Sequence, residues 1–210
     1  MNKLTESLEY EFSLAPSQDP AFAHYLSTFS GRALAWDDAR GEDRVVAEIH
    51  GYKLDLAAAR FDHVPLEELL DSVSSDLSDF KDAVVGADGH CPPLSDSYAL
   101  AGCDSCDCIV YLDKLLVDPG FRGQHIGTQL MARFSEVVHI DHCLLGLKAY
   151  PLAEDGTPLR RTPSAIERVK HFYERLGFQR ARGEFMVKDA SLCAPARKRH
   201  RPRPLAVHAE

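Results

Sequence analysis

Residues 108–138 read CIVYLDKLLVDPGFRGQHIGTQLMARFSEVV. The apolar run predicts a strand over 108–118, and FRGQHIG a glycine-containing loop. Ile126, Leu130, Phe134 and Val138 then recur at i, i+4, the buried stripe of an amphipathic helix. A strand that feeds a helix through such a loop leaves free backbone N–H groups beside the positive end of the helix dipole. That geometry binds phosphate without a dedicated side chain. The next apolar run, HCLLGLKAY (142–150), predicts another strand. Strands alternating with helices imply a mixed sheet covered by helices on both faces.

The rest of the chain fits around this unit. LEYEFSLA (8–15) predicts a first strand and DPAFAHYLSTFS (19–30) a helix, with Asp19 as N-cap and Pro20 at the first helical position. Residues 32–61 predict two strands around the turn Ala39-Arg40-Gly41-Glu42, and 64–86 one kinked helix or two pieces broken by serines. ADGHCPPLSDSYALAGCDSCD (87–107) reads as a long loop. TPSAIERVKHFYERLG predicts a helix with Thr162 as N-cap, Pro163 at N1 and Gly177 at its end. FQRARGEFMVKD (178–189) predicts a last strand or hairpin. The expected organisation is one domain over 1–189 and a basic tail over 190–210.

Composition narrows the partners. The chain has 210 residues and a formal charge of −8. Arg197, Lys198, Arg199, Arg201 and Arg203 sit in the tail; without them 19 basic residues face 32 acidic ones. An acidic body repels nucleic acid and favours cationic small molecules or basic peptides. No apolar run approaches the ~18 residues of a membrane span. The first twenty residues carry four acidic groups and no signal-peptide core. A cytoplasmic protein with no membrane partner is expected. Three of the six cysteines fall in CDSCDC, with His90 and Cys91 upstream. The pattern has a zinc alternative, but a second well-spaced pair is missing, so free thiols and no metal are expected.

Two motifs at a particular separation resemble the GCN5-related N-acetyltransferase (GNAT) family. The family's signature, Arg/Gln-x-x-Gly-x-Gly/Ala preceded by Leu-x-Val-x-Pro, is similar to Leu115, Val117, Pro119, Arg122 and Gly127 here. Its later aromatic-Tyr-x-x-x-Gly-Phe run is similar to Phe172, Tyr173, Gly177 and Phe178. The departure is His125, where the family keeps its middle glycine. Histidine is tolerable there if the backbone is helical, and damaging if the position needs positive φ.

The resemblance implies an α/β fold: a mixed, mostly antiparallel sheet flanked by helices and splayed at its two central strands. It implies acetyl-CoA as co-substrate, held by Leu115, Leu116 and Val117 on the strand and by Arg122, Gly123, Gln124, His125, Ile126, Gly127 and Thr128 in the loop and helix start. It implies direct transfer of acetyl to an amine in a ternary complex. Backbone amides near Leu116 and Val117 would hold the oxyanion, and Tyr173 would protonate the leaving thiolate.

The general base stays open between Asp113, Glu48 and a water relay, with His50 a further candidate. Asp113 interrupts the apolar face expected from Tyr111, Leu115 and Val117, with Lys114 on the opposite face. Burial is expected to lift such a carboxylate toward neutrality. Lys148 and Tyr150 are placed to line the acceptor channel, Lys148 beside a CoA phosphate or an acidic neighbour. The acceptor is a small-molecule or protein amine, and a homodimer is compatible with the pattern. The competing readings are a degenerate acetyl-CoA-binding regulatory module without transfer activity and a zinc-assisted interaction domain.

Overall fold

Three antiparallel strands open the chain in the computed structural model, which describes residues 8–84, 108–140, 143–153, 156, 157, 159 and 162–190. They are β1 (Glu9–Pro16), β2 (Leu26–Asp37) and β3 (Glu42–Asp55). The turn between β2 and β3 is the expected one, with Gly41 at φ 69°. The predicted helix over 19–30 does not form. Asp19 Oδ1 does accept from the Ala21 amide (2.9 Å), but the chain makes only a short turn before β2 begins at Leu26. Pairing on both edges of β2, and burial of Phe29 against Phe134 (ring centroids 4.7 Å), override the local helical pattern.

Residues expected to finish a strand instead form α1 (Leu56–Phe61), capped by Asp55 Oδ1 on the Ala58 amide at 2.8 Å. The serine-broken segment gives two helices, α2 (Leu66–Asp71) and α3 (Ser75–Val84). Next come β4 (Cys108–Val117), a 3-10 turn at Pro119–Phe121, α4 (Ile126–Val138) and β5 (Cys143–Lys148). α5 (Pro163–Glu174) starts on Thr162, whose hydroxyl accepts from the Ala165 amide as expected. A hairpin of β6 (Gln179–Arg180) and β7 (Phe185–Asp189) completes the described chain.

The sheet runs β1-β2-β3-β4-β5-β7-β6. Every neighbouring pair is antiparallel except β4 and β5, which α4 joins as a crossover. The expected mixed, mostly antiparallel sheet flanked by helices is therefore present. One face packs Phe29, Ile49, Val110, Leu112 and Leu145 against Leu130 and Phe134 of α4 and Tyr173 of α5. The other packs Leu54, Ile109 and Tyr111 against Leu69, Leu70, Leu77 and Phe80 of α2 and α3. Stripping a ring such as Phe134, fully buried, costs about 3–5 kcal/mol. Among the described residues, no helix is long and apolar enough to cross a membrane.

Cys108 was expected to be a free thiol. It opens β4, at the start of the strand expected over 108–118, opposite Cys143 of β5 at a Cα–Cα distance of 4.6 Å, and the two form a disulfide. Taking Cys108 into the sheet also removes the third cysteine from the CDSCDC zinc alternative. His90, Cys91, Cys103, Cys106, Cys193, the 87–107 loop and the basic residues of the tail lie outside the described residues.

Candidate active site

A single extra residue in β4 shapes the centre of the sheet. Across β3 and β4, Gly51 pairs with Leu112 and His50 with Lys114, so Asp113 is bulged out of the ladder. Gly51 is required opposite it: a Cβ there would lie 2.0 Å from the Tyr111 carbonyl oxygen. The bulge changes the phase of the strand. Before it, Val110 and Leu112 face α4; after it, Leu115 and Val117 do, while Lys114 reaches Glu48 on the other face. The expectation that Tyr111 and Asp113 share a face with Leu115 and Val117 is thus corrected, while Lys114 does lie opposite Leu115 and Val117. Strict alternation, on which it rested, fails at the extra residue.

The splay expected between the central strands begins at the same level. β4 and β5 pair from Cys108–Cys143 to Leu112–Leu147 and no further. Beyond Leu112, residues 113–117 have β3 on one edge and, among the described residues, no strand on the other. Leu115, Leu116 and Val117 therefore carry their backbone along an open slot.

At the end of the slot the chain turns into α4. Asp118 Oδ1 accepts from the Gly120 amide (2.8 Å), and Arg122 Nε donates to the Val117 carbonyl (2.9 Å). Gly123 has φ 77°, with nothing within 4 Å of where a Cβ would stand. The amides from Gly123 to Thr128 donate to no group among the described residues. Gln124 Nε2 donates to the Gly120 carbonyl, but its buried Oε1 has no partner among the described residues. Ile126 and Gly127 are buried at the helix start, where a Cβ on Gly127 would stand 3.3 Å from Val117 Cγ2 and 3.4 Å from Phe172 Cζ. An open cradle of unbonded amides at a helix N-terminus fits a pyrophosphate.

His125 resolves against the tolerant alternative. It has φ 63° and ψ 10°, the left-handed region that a side chain enters at a cost of about 1–2 kcal/mol. The position does require positive φ. The loop reaches that geometry regardless, with the imidazole exposed to solvent.

Tyr173 comes from α5 onto the α4 side of the sheet and is 7% exposed. Its ring packs edge-on against Phe172 and Phe178, and its hydroxyl bonds to no group among the described residues. Burial, and then Tyr150, push its pKa well above the ordinary tyrosine value. The hydroxyl is thus a fixed proton donor at working pH.

The two carboxylate candidates part company. Burial alone would raise Glu48, but the hydrogen bond and charge of Lys114, joined by His50 (3.6 Å), outweigh it and hold Glu48 low. The expectation that burial lifts Glu48 toward neutrality is corrected: its ion pairs keep it ionised and poorly basic. Asp113 is raised, by burial first and then by the nearby Asp76 carboxylate. Lys148 donates to Asp76 Oδ1 (2.6 Å) and lies 3.8 Å from Asp79 Oδ2, so its neighbour is acidic. Asp76, Asp79 and Tyr111 were not singled out from sequence. SDLSDF reads as the polar face of any helix, and nothing in it says that the face turns toward β5. A shallow groove of about 230 Å³ runs beside Glu48 and Leu116, walled by Val45, Asp118 and Pro119. Among the described residues, no group of three or more His, Cys, Asp or Glu is arranged to hold a metal.

The domain model described as Acetyltransferase (GNAT) domain matches residues 82–180. No curated protein matches the sequence. Among solved structures, the chain is similar to a chain of the KacTA–DNA complex at 13% identity and a TM-score of 0.40, over 89% of this chain and 95% of that one. It is similar to an agmatine N-acetyltransferase variant in its apo form at 17% identity and a TM-score of 0.39, over 71% and 57%. A third likeness, to Arabidopsis thaliana NAA60 in complex with a bisubstrate analogue, has 10% identity and a TM-score of 0.39 over 86% and 99%. Residues 82–180 thus match the domain model of the GNAT acetyltransferases.

Proposed function

We propose that the chain moves an acetyl group from acetyl-CoA to a primary amine by direct transfer in a ternary complex. The observation that carries this reading is the opening between β4 and β5 after Leu112, with the Tyr173 hydroxyl on one side of the sheet and the bulged Asp113 on the other. Donor and acceptor then approach from opposite faces and meet in the slot.

The amides of Gly123 to Thr128 take the pyrophosphate, and the free guanidinium N–H groups of Arg122 add charge-assisted bonds. The open edge of β4 at Leu115, Leu116 and Val117 bonds the pantetheine arm, and an amide near Leu116 or Val117 donates to the thioester oxygen as it becomes an oxyanion. Asp113, held above the usual carboxylate range, accepts a proton from the incoming ammonium directly or through water. The neutral nitrogen forms the N–C bond, and the C–S bond then breaks. The thiolate takes the Tyr173 proton, the new amide nitrogen loses its surplus proton to solvent through the same acidic side, and exchange with solvent then returns a proton to Tyr173 and removes one from Asp113. One ammonium and one thioester give one amide, one thiol and one proton.

The test combines acetyl-CoA with a panel of amines, following thiol release and the acetylated amine by mass spectrometry. Stoichiometric thiol and acetyl-amine are expected. CoA binding with no transfer to any amine overturns the reading in favour of a cofactor-binding regulatory module.

A further inference from the structure

The loop that carries the phosphate cradle is fastened to β3 by an ion pair. Arg44, near the start of β3, pairs with Ala35 of β2, which is buried on the α4 side of the sheet. Arg44 therefore leaves β3 on the face where the cradle opens. Its Nη2 donates to Asp118 Oδ2 at 2.5 Å, and its guanidinium lies over the Phe121 ring, 5.5 Å from the centroid. Among the described residues, Asp118 is the only carboxylate paired with Arg44.

Asp118 acts in two directions. Its other oxygen, Oδ1, accepts from the Gly120 amide, and its own amide donates to the Val46 carbonyl of β3 (2.9 Å). The carboxylate thus shapes the 3-10 turn at Pro119–Phe121 while Arg44 holds it against the sheet. The loop beyond is built on that turn, since Gln124 Nε2 reaches back to the Gly120 carbonyl (3.3 Å) just before His125 opens α4. A carboxylate at the foot of a pyrophosphate cradle is also a charge of the wrong sign. Left unpaired, it repels the ligand that the Gly123–Thr128 amides attract. The guanidinium cancels that charge, and its planar fork and its stack on Phe121 fix where the carboxylate points.

We propose that Arg44 is a positioning residue for the cofactor: it neutralises and orients Asp118, and through Asp118 it sets the phosphate-binding loop. The inference rests on the acetyl-transfer reading above and adds to its machinery a residue from a strand distant in sequence. Arg44 touches no reacting atom, so its loss is felt in the binding of acetyl-CoA and not in the chemical step.

The test measures CoA affinity by calorimetry and acetyl-transfer kinetics in the parent, Arg44→Ala, Arg44→Lys, Asp118→Asn and the double variant of Arg44→Ala with Asp118→Asn. Arg44→Ala should weaken CoA about threefold to fivefold, the upper end for a pair whose guanidinium is half-exposed. The KM for acetyl-CoA should rise to match, with kcat within about twofold of the parent. S-acetylpantetheine, a donor without the pyrophosphate, should show no such rise. Arg44→Lys keeps the charge and should recover part of the loss. Asparagine still accepts from the Gly120 amide but carries no charge. In the Asp118→Asn background, Arg44→Ala should therefore cost less than about twofold. Parent-like CoA affinity in Arg44→Ala overturns the proposal. So does a loss kept in full in the Asp118→Asn background, which would put the guanidinium on the cofactor itself. An equal loss with S-acetylpantetheine also overturns it, as a general disturbance of the fold. CoA binding without transfer overturns the transfer reading and leaves the positioning role standing, whereas a parent that binds no CoA overturns both.

Discussion

Lys114, the first residue beyond the bulge in β4, donates a hydrogen bond to Oε1 of Glu48 on β3. Both side chains are about three-quarters buried, so the pair is shielded from solvent. Because Glu48 is held low, its stabilising contribution is complete above the ordinary carboxylate pKa and is lost as pH falls through its own lower value. Glu48→Gln should cost about 0.5–1 kcal/mol at neutral pH and flatten the acid limb of a Tm-against-pH curve. Its acetyl-transfer rate should stay within a few-fold of the parent. A loss of several orders of magnitude would make Glu48 the base.

Asp113 carries the opposite sign. Burial and Asp76 disfavour its charged form, so the ionised, working base appears only as pH rises through a value above the usual aspartate range. Asp113→Asn should lower kcat/KM by about 10²–10⁴ and abolish that acid limb from the pH profile. A variant whose profile keeps the limb would assign it to another group.

Tyr173→Phe should lower kcat by about 10²–10⁴ and leave the KM for acetyl-CoA within a few-fold. Its raised pKa adds a second readout in the parent enzyme. No loss of kcat traceable to Tyr173 should accompany a rise in pH through the ordinary tyrosine region near ~10. Parent-like kinetics in the variant would remove the hydroxyl from the mechanism.

His125→Gly relieves a left-handed side-chain penalty but frees the unfolded chain. The net is a gain of about 0.5–1 kcal/mol, a rise of about 1–4 °C in Tm. Affinity for CoA, read by calorimetry, should be equal or better because the cradle is built from amides. A large loss would show that the imidazole itself holds the cofactor.

Gly51→Ala places a methyl 2.0 Å from the Tyr111 carbonyl oxygen and 2.5 Å from Phe29 Cζ. Neither backbone nor packed ring has room to yield, so a loss of at least about 1–3 kcal/mol is expected in urea unfolding. Parent-like stability would mean that β3 and β4 can re-register around the bulge.

What the sequence disclosed follows from how far each signal reaches. The strand–loop–helix unit of 108–138, the Thr162 cap and the split of 64–86 at its serines are local, and each formed as read. The helix expected over 19–30 failed because its competitor was sheet pairing with residues distant in sequence. The facing of Tyr111 and Asp113 relative to Leu115 and Val117 was misread because a bulge leaves no mark in a strand's composition; only Gly51, on the neighbouring strand, hints at it. Asp76 and Tyr111 were invisible for the same reason. An ordinary polar helix face and an ordinary core aromatic become notable only when folding brings them to one face of the sheet. The positive φ at His125 was posed by the sequence as a question, and required coordinates to answer.

The bulge at Asp113 also bears on how this gene can vary. Replacing Asp113 alters one side chain at the mouth of the slot and leaves the ladder in place. Deleting it would restore strict alternation along β4, with Gly51 opposite Leu112 and His50 opposite Lys114 in an unbroken ladder. Leu115 and Val117 would still face α4 beside Val110 and Leu112, and Val117 would keep its place against Gly127. The strand should therefore accept a one-codon deletion at the bulge more readily than one elsewhere along its length, a pattern that a deletion library would display directly.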